Sequence, residues 1–152
     1  DPELIIADEP TTALDVTVQA QILNILNSLR KERKLSILFI SHDFGVISQL
    51  CDRVIVMYAG SIVEEGPVKN IMQQAAHPYT SELIKCVPQL GNKEHALHSI
   101  PGNPPSLNQL PEGCAFANRC QYKQNQCLKG AVPVSSKDNR SYKCFYPVGG
   151  VA

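Results

Sequence analysis

Three short apolar runs, separated by segments with helical periodicity, constrain the fold of this chain most strongly. The runs cover residues 4–7 (LIIA), 36–40 (SILFI) and 53–58 (RVIVMY). A continuous apolar run of this length is typical of a strand that is buried in a parallel sheet. Residues 16–34 carry apolar side chains at helical spacing and end in a charged segment, and residues 44–51 are predicted to form a shorter helix. This alternation predicts an α/β fold with a mostly parallel sheet.

The pattern continues with one more strand and two more helices. A fourth strand is predicted at residues 61–65, after the turn Ala59-Gly60. Helices are expected at residues 68–75 and 79–86. Pro78 suits the first turn of the second of these helices, because the missing N–H is not needed there.

The rest of the chain is predicted to be less regular. The stretch IPGNPPSLNQLPEG is rich in proline and is expected to be extended. The tail that follows has little apolar periodicity. We therefore predict three regions, which are an α/β half-domain at residues 1–76, a helix with a proline-rich linker at residues 77–113, and a small loop-rich, cysteine-rich module at residues 114–152.

Composition and charge disfavour several classes of protein. The chain has 152 residues and a formal net charge of zero. Its apolar runs fall short of the ~20 residues of a membrane-spanning helix and no signal peptide is visible, so we expect a cytosolic chain in which stable disulfides are disfavoured. Residues 1–86 carry seven Lys and Arg against eleven Asp and Glu, whereas residues 87–152 carry seven against three. That basic excess is modest and unclustered, so nucleic acid is not expected as a partner.

Two acids follow the first strand, where a ligand would meet an α/β sheet. Asp8 and Glu9 end the stretch LIIADE, and ligands of open α/β sheets bind beyond the carboxyl ends of the strands. An Asp there can hold Mg²⁺ through water, and a neighbouring Glu can deprotonate an attacking water. The alternative is that the pair caps the next helix or faces solvent. His42 follows the second strand at the equivalent edge and can donate a hydrogen bond to a phosphate, which favours the catalytic interpretation.

At these positions the sequence resembles the ABC-type ATPases. LIIADEP is similar to their Walker B segment, TALD to their D-loop and SHD to their H-loop, and DRVIVMYAGSIVEEGP follows in the same order. The resemblance implies the C-terminal half of a RecA-like ATPase core that works with ATP and Mg²⁺. By the same resemblance, Asp8 supports the Mg²⁺ site and Glu9 is the general base for water. His42 would contact the γ-phosphate, and Asp15 would lie at a dimer interface near the partner's nucleotide.

Further segments resemble one branch of that family, the oligopeptide and dipeptide importers. ALDVTVQAQIL, MYAGSIVEEGP, HPYTSELIKCVP and IPGNPPSL carry the resemblance, and IPGNPP is most similar to the D-type ATPase subunit. The resemblance implies a peripheral ATPase on the cytoplasmic side of the inner membrane. Its implied partners are a second ATPase subunit, identical or different, transmembrane permease subunits and, indirectly, an extracytoplasmic peptide-binding protein.

Three alternatives to a peptide importer stay open. An importer of the same branch could carry nickel or another small solute. The chain could instead be a stand-alone metal-binding or interaction module. A DNA-repair ATPase of the ABC type is the third alternative, and the importer-like tail argues against it.

Several ATPase motifs are absent from these residues. There is no G-x-x-x-x-G-K-[ST] loop to cradle phosphates, no LSGGQ-like signature and no glutamine loop. We therefore expect a truncated, C-terminal fragment that by itself neither binds ATP tightly nor hydrolyses it.

Four of the six cysteines crowd the tail with the spacing C-x5-C-x6-C-x16-C; they are Cys114, Cys120, Cys127 and Cys144. Four thiolates in a loop-rich cytosolic segment favour a metal site, although the spacing is not the C-x2-C of zinc ribbons. The spacing resembles the [4Fe–4S]-bearing tail of some dipeptide-importer ATPases, except that Ala115 and Gln121 stand where proline is expected in that family. Zinc is one alternative, and thiols or disulfides without metal are the other.

Several other polar residues are expected to be structural. His77 is predicted to lie at the entry of a helix. Glu64 and Glu65 are assigned to the end of a strand. The linker histidines, His95 and His98, are weak metal candidates.

Overall fold

The computed structural model describes residues 2–87, 98–106 and 108–149 of the chain. They belong to two compact units, Asp1–Cys51 and Asp52–Ala152, and each unit is described by itself. Within the described ranges, no helix combines the length and the apolar character needed to cross a bilayer. His95 and part of the predicted proline-rich linker lie outside the described residues.

The first unit contains a parallel β–α–β arrangement followed by a short helix. Its elements are β1 (Leu4–Asp8), α1 (Val16–Arg33), β2 (Ser36–Ile40) and α2 (Phe44–Leu50). The two strands pair in parallel, and Asp8 lies opposite Ile40 at their carboxyl ends. The predicted elements of this unit and their parallel pairing are confirmed, with boundaries that agree to about one residue.

The burial that the apolar runs predict for β1 and β2 is wrong for one face of this pair. Leu4 and Ile6 of β1 and Leu38 and Ile40 of β2 share a face, and each of them is between 43% and 63% exposed. Side chains of a strand alternate between two faces, so covering one face leaves the other in contact with solvent. An apolar run alone does not say on how many sides a strand is covered.

Two aspartates define where the helices of this unit begin. The Asp15 carboxylate accepts hydrogen bonds from the N–H groups of Thr17 and Val18, both at 3.0 Å, at the start of α1. The Asp43 carboxylate accepts two N–H groups in the first turn of α2, at 2.8 and 3.2 Å. Caps of this kind satisfy N–H groups that have no partner within the helix, and each typically contributes about 1 kcal/mol.

The second unit is built on an antiparallel sheet. Its strands and helices are β3 (Arg53–Tyr58), β4 (Ser61–Pro67), α3 (Val68–Gln73), α4 (Pro78–Lys85), β5 (Val134–Lys137) and β6 (Arg140–Lys143). The strand order is β3-β4-β6-β5, and all neighbouring strands pair antiparallel. The predicted mixture of helices and strands is confirmed, but the prediction of a mostly parallel sheet is wrong for this unit.

Two-residue turns are the physical reason for the antiparallel pairing. Ala59 and Gly60, between β3 and β4, have φ values of 47° and 78°. Asp138 and Asn139, between β5 and β6, have φ values of 53° and 57°. Two successive residues with positive φ form the type I′ turn that joins antiparallel strands. Parallel strands need a crossover of a dozen or more residues, which neither connection provides.

The cysteine-rich tail is more regular than its sequence indicates. It contains two short 3₁₀ helices, Ala117–Arg119 and Asn125–Leu128, and the strands β5 and β6, which the apolar pattern does not reveal. β6 pairs with β4, so that Glu64 lies opposite Tyr142. The tail therefore contributes two strands to the same sheet as the β3–β4 hairpin.

A buried carboxylate connects this sheet to the segment before α4. Glu64 is 0% exposed, and its Oε1 and Oε2 accept hydrogen bonds from the N–H groups of Ala76 and His77 at 2.8 and 2.9 Å. A charge is tolerated inside a protein only when its polar atoms are satisfied, and a hydrogen bond to a charged group contributes roughly 1.5–3 kcal/mol. Glu64 therefore does more than end a strand.

We expect Glu64→Gln to destabilise the second unit by about 2 kcal/mol. In the variant an NH₂ group replaces one carboxylate oxygen, and this group cannot accept the hydrogen bond that a backbone N–H donates to that oxygen in the wild type. Urea unfolding followed by tyrosine fluorescence measures this loss in the second unit alone, since all five tyrosines lie between residues 58 and 146. Glu65→Gln is the matched control at a partly exposed neighbour, with an expected change below about 0.5 kcal/mol. Equal stability of wild type and Glu64→Gln would contradict this role.

Candidate active site and thiol cavity

The turn after β1 brings a glutamate and a histidine together at the carboxyl ends of the parallel strands. Glu9 has a left-handed backbone with φ 46°, and its N–H donates to the Ile40 carbonyl at 2.9 Å. The Nδ1 atom of His42 lies 3.0 Å from both Oε1 and Oε2 of Glu9. A positive φ is costly for a residue other than glycine, and such residues cluster at functional sites. Two candidate residues from separate strand ends thus form one hydrogen-bonded pair.

A hydroxyl completes this group. Thr12 Oγ1 donates to Glu9 Oε2 at 2.6 Å. The bonds from Thr12 and His42 hold the pKa of the Glu9 carboxyl below its ordinary 4.5, and Glu9 in turn raises the pKa of His42 above 6.5. The side chains of Glu9 and His42 are 37% and 79% exposed, so solvent screens the pair and it contributes little to stability. Its consequence is chemical, because an ionised Glu9 can accept a proton at neutral pH.

The two remaining acids of the predicted site have different surroundings. Asp8 is the exposed last residue of β1, next to Glu9. An exposed carboxylate at a strand end suits a cation that keeps part of its water shell. Asp15 is the N-cap of α1, and its carboxylate is bound by two backbone N–H groups. The roles of Asp8 at a Mg²⁺ site and of Asp15 at a dimer interface stay predictions.

Thr12 is not among the site residues that the sequence predicts. This residue lies three positions after Glu9, and its N–H donates to the Glu9 carbonyl at 3.1 Å, which closes a turn around Pro10. A hydroxyl residue that follows an acid and a proline at turn spacing is the signal that could have indicated it.

The four cysteines of the tail line one small cavity in the second unit. Its wall includes Cys114, Cys120, Cys127 and Cys144, with the rings of His77 and Phe116. All four cysteines are free thiols. The cavity volume is about 10 Å³, which is close to the smallest volume that can hold one water molecule. The Cys114 N–H also donates to the Cys127 carbonyl at 2.8 Å, so the backbone itself holds two of these positions together.

Burial favours the protonated form of Cys114, Cys120 and Cys144. It raises the pKa of Cys144 to about 11, and the charge of the neighbouring thiolates adds to that shift. Burial also raises the pKa of Cys114 and of Cys120 above the ordinary value of 9.0. A metal binds the thiolate and not the thiol, so metal binding at this cavity would release protons and would strengthen as the pH rises.

The sulfur donor atoms are suited to a thiophilic metal, but in this structure they are not arranged to bind one. Four sulfur donors around one cavity are the ligand type of zinc and of iron–sulfur clusters. Across the residues that the structure describes, however, no group of three His, Cys, Asp or Glu side chains could hold an ion. Side chains would therefore have to move for this cavity to admit a metal centre. His98, the weak linker candidate, pairs with Glu82 at 2.6 Å between Nε2 and Oε2.

His77 is the N-cap of α4 and is buried beside the tail. Its Nδ1 accepts the N–H of Tyr79 at 3.1 Å, which confirms the predicted position at a helix entry. Burial lowers the pKa of His77 to about 4, so the ring is neutral at physiological pH and carries its proton on Nε2. The ring centroid lies 6.0 Å from that of Phe116, and the Phe116 centroid lies 5.3 Å from those of Tyr58 and Tyr79.

Arg119 attaches the linker to these aromatic rings. Its Nε and Nη2 atoms donate to the carbonyls of Pro101 and Ile100, both at 2.9 Å. Its Nη1 donates to the Tyr58 hydroxyl at 3.3 Å, and the guanidinium carbon lies 6.0 Å from the centroids of Tyr58 and Phe116. The start of the IPGNPP segment is therefore held against the tail by one side chain.

Comparison with known proteins finds relatives along almost the whole chain. A family model described as oligopeptide/dipeptide transporter, C-terminal region, matches residues 63–127. The probable D,D-dipeptide transport ATP-binding protein of Escherichia coli K12 is 47% identical over 148 residues, which are 97% of this chain and 45% of that protein. The oligopeptide transport ATP-binding protein of Salmonella typhimurium LT2 is 46% identical over 147 residues (97% and 44%). The protein of the same description from Haemophilus influenzae is 54% identical over 127 residues (83% and 39%). The chain thus spans less than half the length of these relatives.

We expect the second unit to lose about 3 kcal/mol of stability as the pH falls from 6.5 to 4, because the unfolded chain protonates His77 near 6.5 and the folded chain only near 4. Well above pH 6.5 the His77 ring is neutral in both the folded and the unfolded state, and this contribution is complete. Urea unfolding at several pH values, followed by tyrosine fluorescence, measures it.

The control for this experiment is His77→Asn, because an asparagine can cap α4 and does not titrate. The stability difference between wild type and His77→Asn should shrink as the pH falls through this range. A difference that is independent of pH would show that His77 is not buried as a neutral ring.

Proposed function

Because the chain belongs to the family of oligopeptide and dipeptide transport ATP-binding proteins, we propose that it forms part of the ATP-hydrolysing subunit of an importer for short peptides. The activity, cargo and partners proposed here are those of the full-length protein that carries these residues. In this proposal residues 1–76 belong to a RecA-like nucleotide-binding domain, residues 77–113 form a connection, and residues 114–152 form the C-terminal module.

The observation that carries the proposal is the contact between Glu9 and His42. The two side chains stand 3.0 Å apart at the carboxyl ends of parallel strands, where ligands of α/β sheets bind. An acid that is ionised at neutral pH, next to a histidine, is the equipment needed to activate water beside a phosphate. The similarity of almost the whole chain to ATP-binding proteins supports the same chemistry.

Each residue then has a proposed role, which rests on observed contacts for Glu9 and His42 and on the resemblance to ABC-type ATPases for Asp8 and Asp15. The Glu9 carboxylate accepts a proton from the attacking water. His42 uses Nδ1 to bind Glu9, and its raised pKa favours the protonated ring, whose Nε2–H can donate to a terminal phosphate oxygen. Asp8 would help to hold Mg²⁺ through water, and Asp15 would lie near the nucleotide of a partner subunit. Mg²⁺, when bound, would neutralise part of the negative charge on the phosphates.

The proposed partners are those of an importer. They are a second ATPase subunit, identical or different, transmembrane permease subunits and, indirectly, an extracytoplasmic peptide-binding protein, on the cytoplasmic side of the inner membrane. The relatives are named as transport proteins for oligopeptides and for D,D-dipeptides, which favours peptides over nickel or another small solute as the cargo. Nucleic acid is not among the proposed partners.

We expect the full-length protein to hydrolyse ATP and Glu9→Gln to lower kcat by about 100-fold or more while ATP binding persists, because only the proton acceptor is lost. Phosphate release and nucleotide binding are the two measurements. Glu65→Gln, the same change on the β3–β4 hairpin, should keep the wild-type rate. Residues 1–152 alone, which carry no phosphate-binding loop, should show no hydrolysis. A Glu9→Gln rate within threefold of wild type would remove Glu9 from the proposed mechanism.

We also propose that Cys114, Cys120, Cys127 and Cys144 bind a thiophilic metal centre, with a [4Fe–4S] cluster as the first candidate and zinc as the second. The convergence of four thiols on one cavity supports this proposal. A bound centre would join residues that are up to 30 positions apart and would stabilise a tail that has few apolar residues.

We expect protein purified without oxygen to contain metal at this cavity, with about four irons and a brown colour for a cluster, or one zinc and no colour. Visible absorbance and the iron, sulfide and zinc content per chain distinguish the two. Cys127→Ser should lose the metal, whereas Cys86→Ser, a change outside the cavity wall, should retain it. Metal-free protein with four reactive thiols would contradict the proposal.

A further inference from the structure

We propose that Thr12 is a positioning residue that holds the Glu9 carboxylate beside His42 through the hydrogen bond from its Oγ1 to Glu9 Oε2. This inference rests on the proposed ATPase function. It concerns a residue outside the set of acids and histidine that the sequence indicates. The donor and acceptor are 2.6 Å apart, the shortest of the contacts described for the Glu9 side chain.

The backbone fixes the hydroxyl before any ligand arrives. Thr12 N–H donates to the Glu9 carbonyl at 3.1 Å, and Leu14 N–H donates to the Thr11 carbonyl at 3.3 Å, so the segment is a pair of linked turns. One end of this segment is tied to β2 through Glu9 N–H and the Ile40 carbonyl. The other end leads directly into the Asp15 cap of α1. A donor on a segment held at both ends is already in place, which is the property that a positioning group requires.

The hydroxyl makes the two oxygens of Glu9 unequal. Oε2 accepts from Thr12 at 2.6 Å and from His42 at 3.0 Å, whereas the contact described for Oε1 is the one with His42. The terminal torsion of a glutamate is broad and confines the carboxylate weakly. Thr12 removes that freedom, and it leaves Oε1 as the oxygen with more capacity to accept a proton from water.

The first test measures the contact in the 152-residue chain, without any need for activity. NMR relaxation of the Glu9 side chain at neutral pH compares wild type with Thr12→Val, which keeps the branched shape and loses the hydroxyl, and with Thr12→Ser, which keeps the hydroxyl. We expect the order parameter of the Glu9 side chain to fall in Thr12→Val and to stay near the wild-type value in Thr12→Ser. Thr17→Val, on the exposed first turn of α1, is the matched control and should leave that order parameter unchanged. An equally ordered Glu9 side chain in Thr12→Val would overturn the inference.

The second test measures the consequence in the full-length protein. We expect Thr12→Val to lower kcat about tenfold and to leave KM for ATP within about twofold, because orientation and not ATP binding is lost. Thr12→Ser should keep most of the wild-type kcat. A normal kcat in Thr12→Val, even with a less ordered Glu9 side chain, would overturn the positioning role.

The two tests separate failure of the inference from failure of the proposed function. If the full-length wild-type protein shows no ATP hydrolysis that depends on Glu9, the proposed function is wrong and the positioning role falls with it, whatever the NMR comparison shows. If hydrolysis depends on Glu9 and is insensitive to the Thr12 hydroxyl, the function stands and this inference alone is wrong.

Discussion

The second unit depends on the hydrogen bonds that the carboxylate of Glu64 accepts. Glu64 sits on β4, the strand that pairs with both β3 and β6, and it is fully buried. Its two oxygens hold the N–H groups of Ala76 and His77, and this fixes the entry to α4. If β4 separated from the segment before α4, the Glu64 carboxylate and the two N–H groups would lose their partners. A buried charge without partners costs several kcal/mol, so these hydrogen bonds hold β4 and the segment together.

From that carboxylate a series of contacts leads to the thiol cavity. His77, held by its N–H, uses its ring to cap α4 and to pack against Phe116. Both rings form part of the wall that the four thiols line. Arg119 then attaches the linker to the same rings through Ile100, Pro101 and Tyr58. The hairpin, the helix, the linker and the tail therefore meet at one place, and a centre bound by the thiols would reinforce contacts that already exist.

The predictions were correct for elements that their own side chains specify, and they were wrong for elements whose formation depends on pairing with another strand. Apolar spacing and charged ends placed α1 and β2 almost to the residue, because a helix or a single strand is specified by its own side chains. The same signal missed β5 and β6, whose sequences VSSK and RSYK offer few apolar residues and owe their order to pairing with β4. Asp138-Asn139 was the visible indication, as a pair of residues that tolerates the type I′ turn. The expectation of a parallel sheet was wrong for β3 and β4, because Ala59 and Gly60 also form a two-residue turn with positive φ and so join antiparallel strands.

The sequence by itself determined which chemical groups are present and in what order: the acids after β1, the histidine after β2, the caps of the helices and the number of thiols in the tail. Their types follow from the residues, and the strand ends follow from local periodicity. Only the tertiary structure decided which of them meet. Glu9 and His42 are 33 positions apart and touch because β1 and β2 pair in parallel register, while Thr12 joins them because a left-handed Glu9 turns the chain back on itself. The four thiols converge because turns and strand pairing fold the tail around His77 and Phe116, and such long-range contacts depend on backbone geometry that no local pattern specifies.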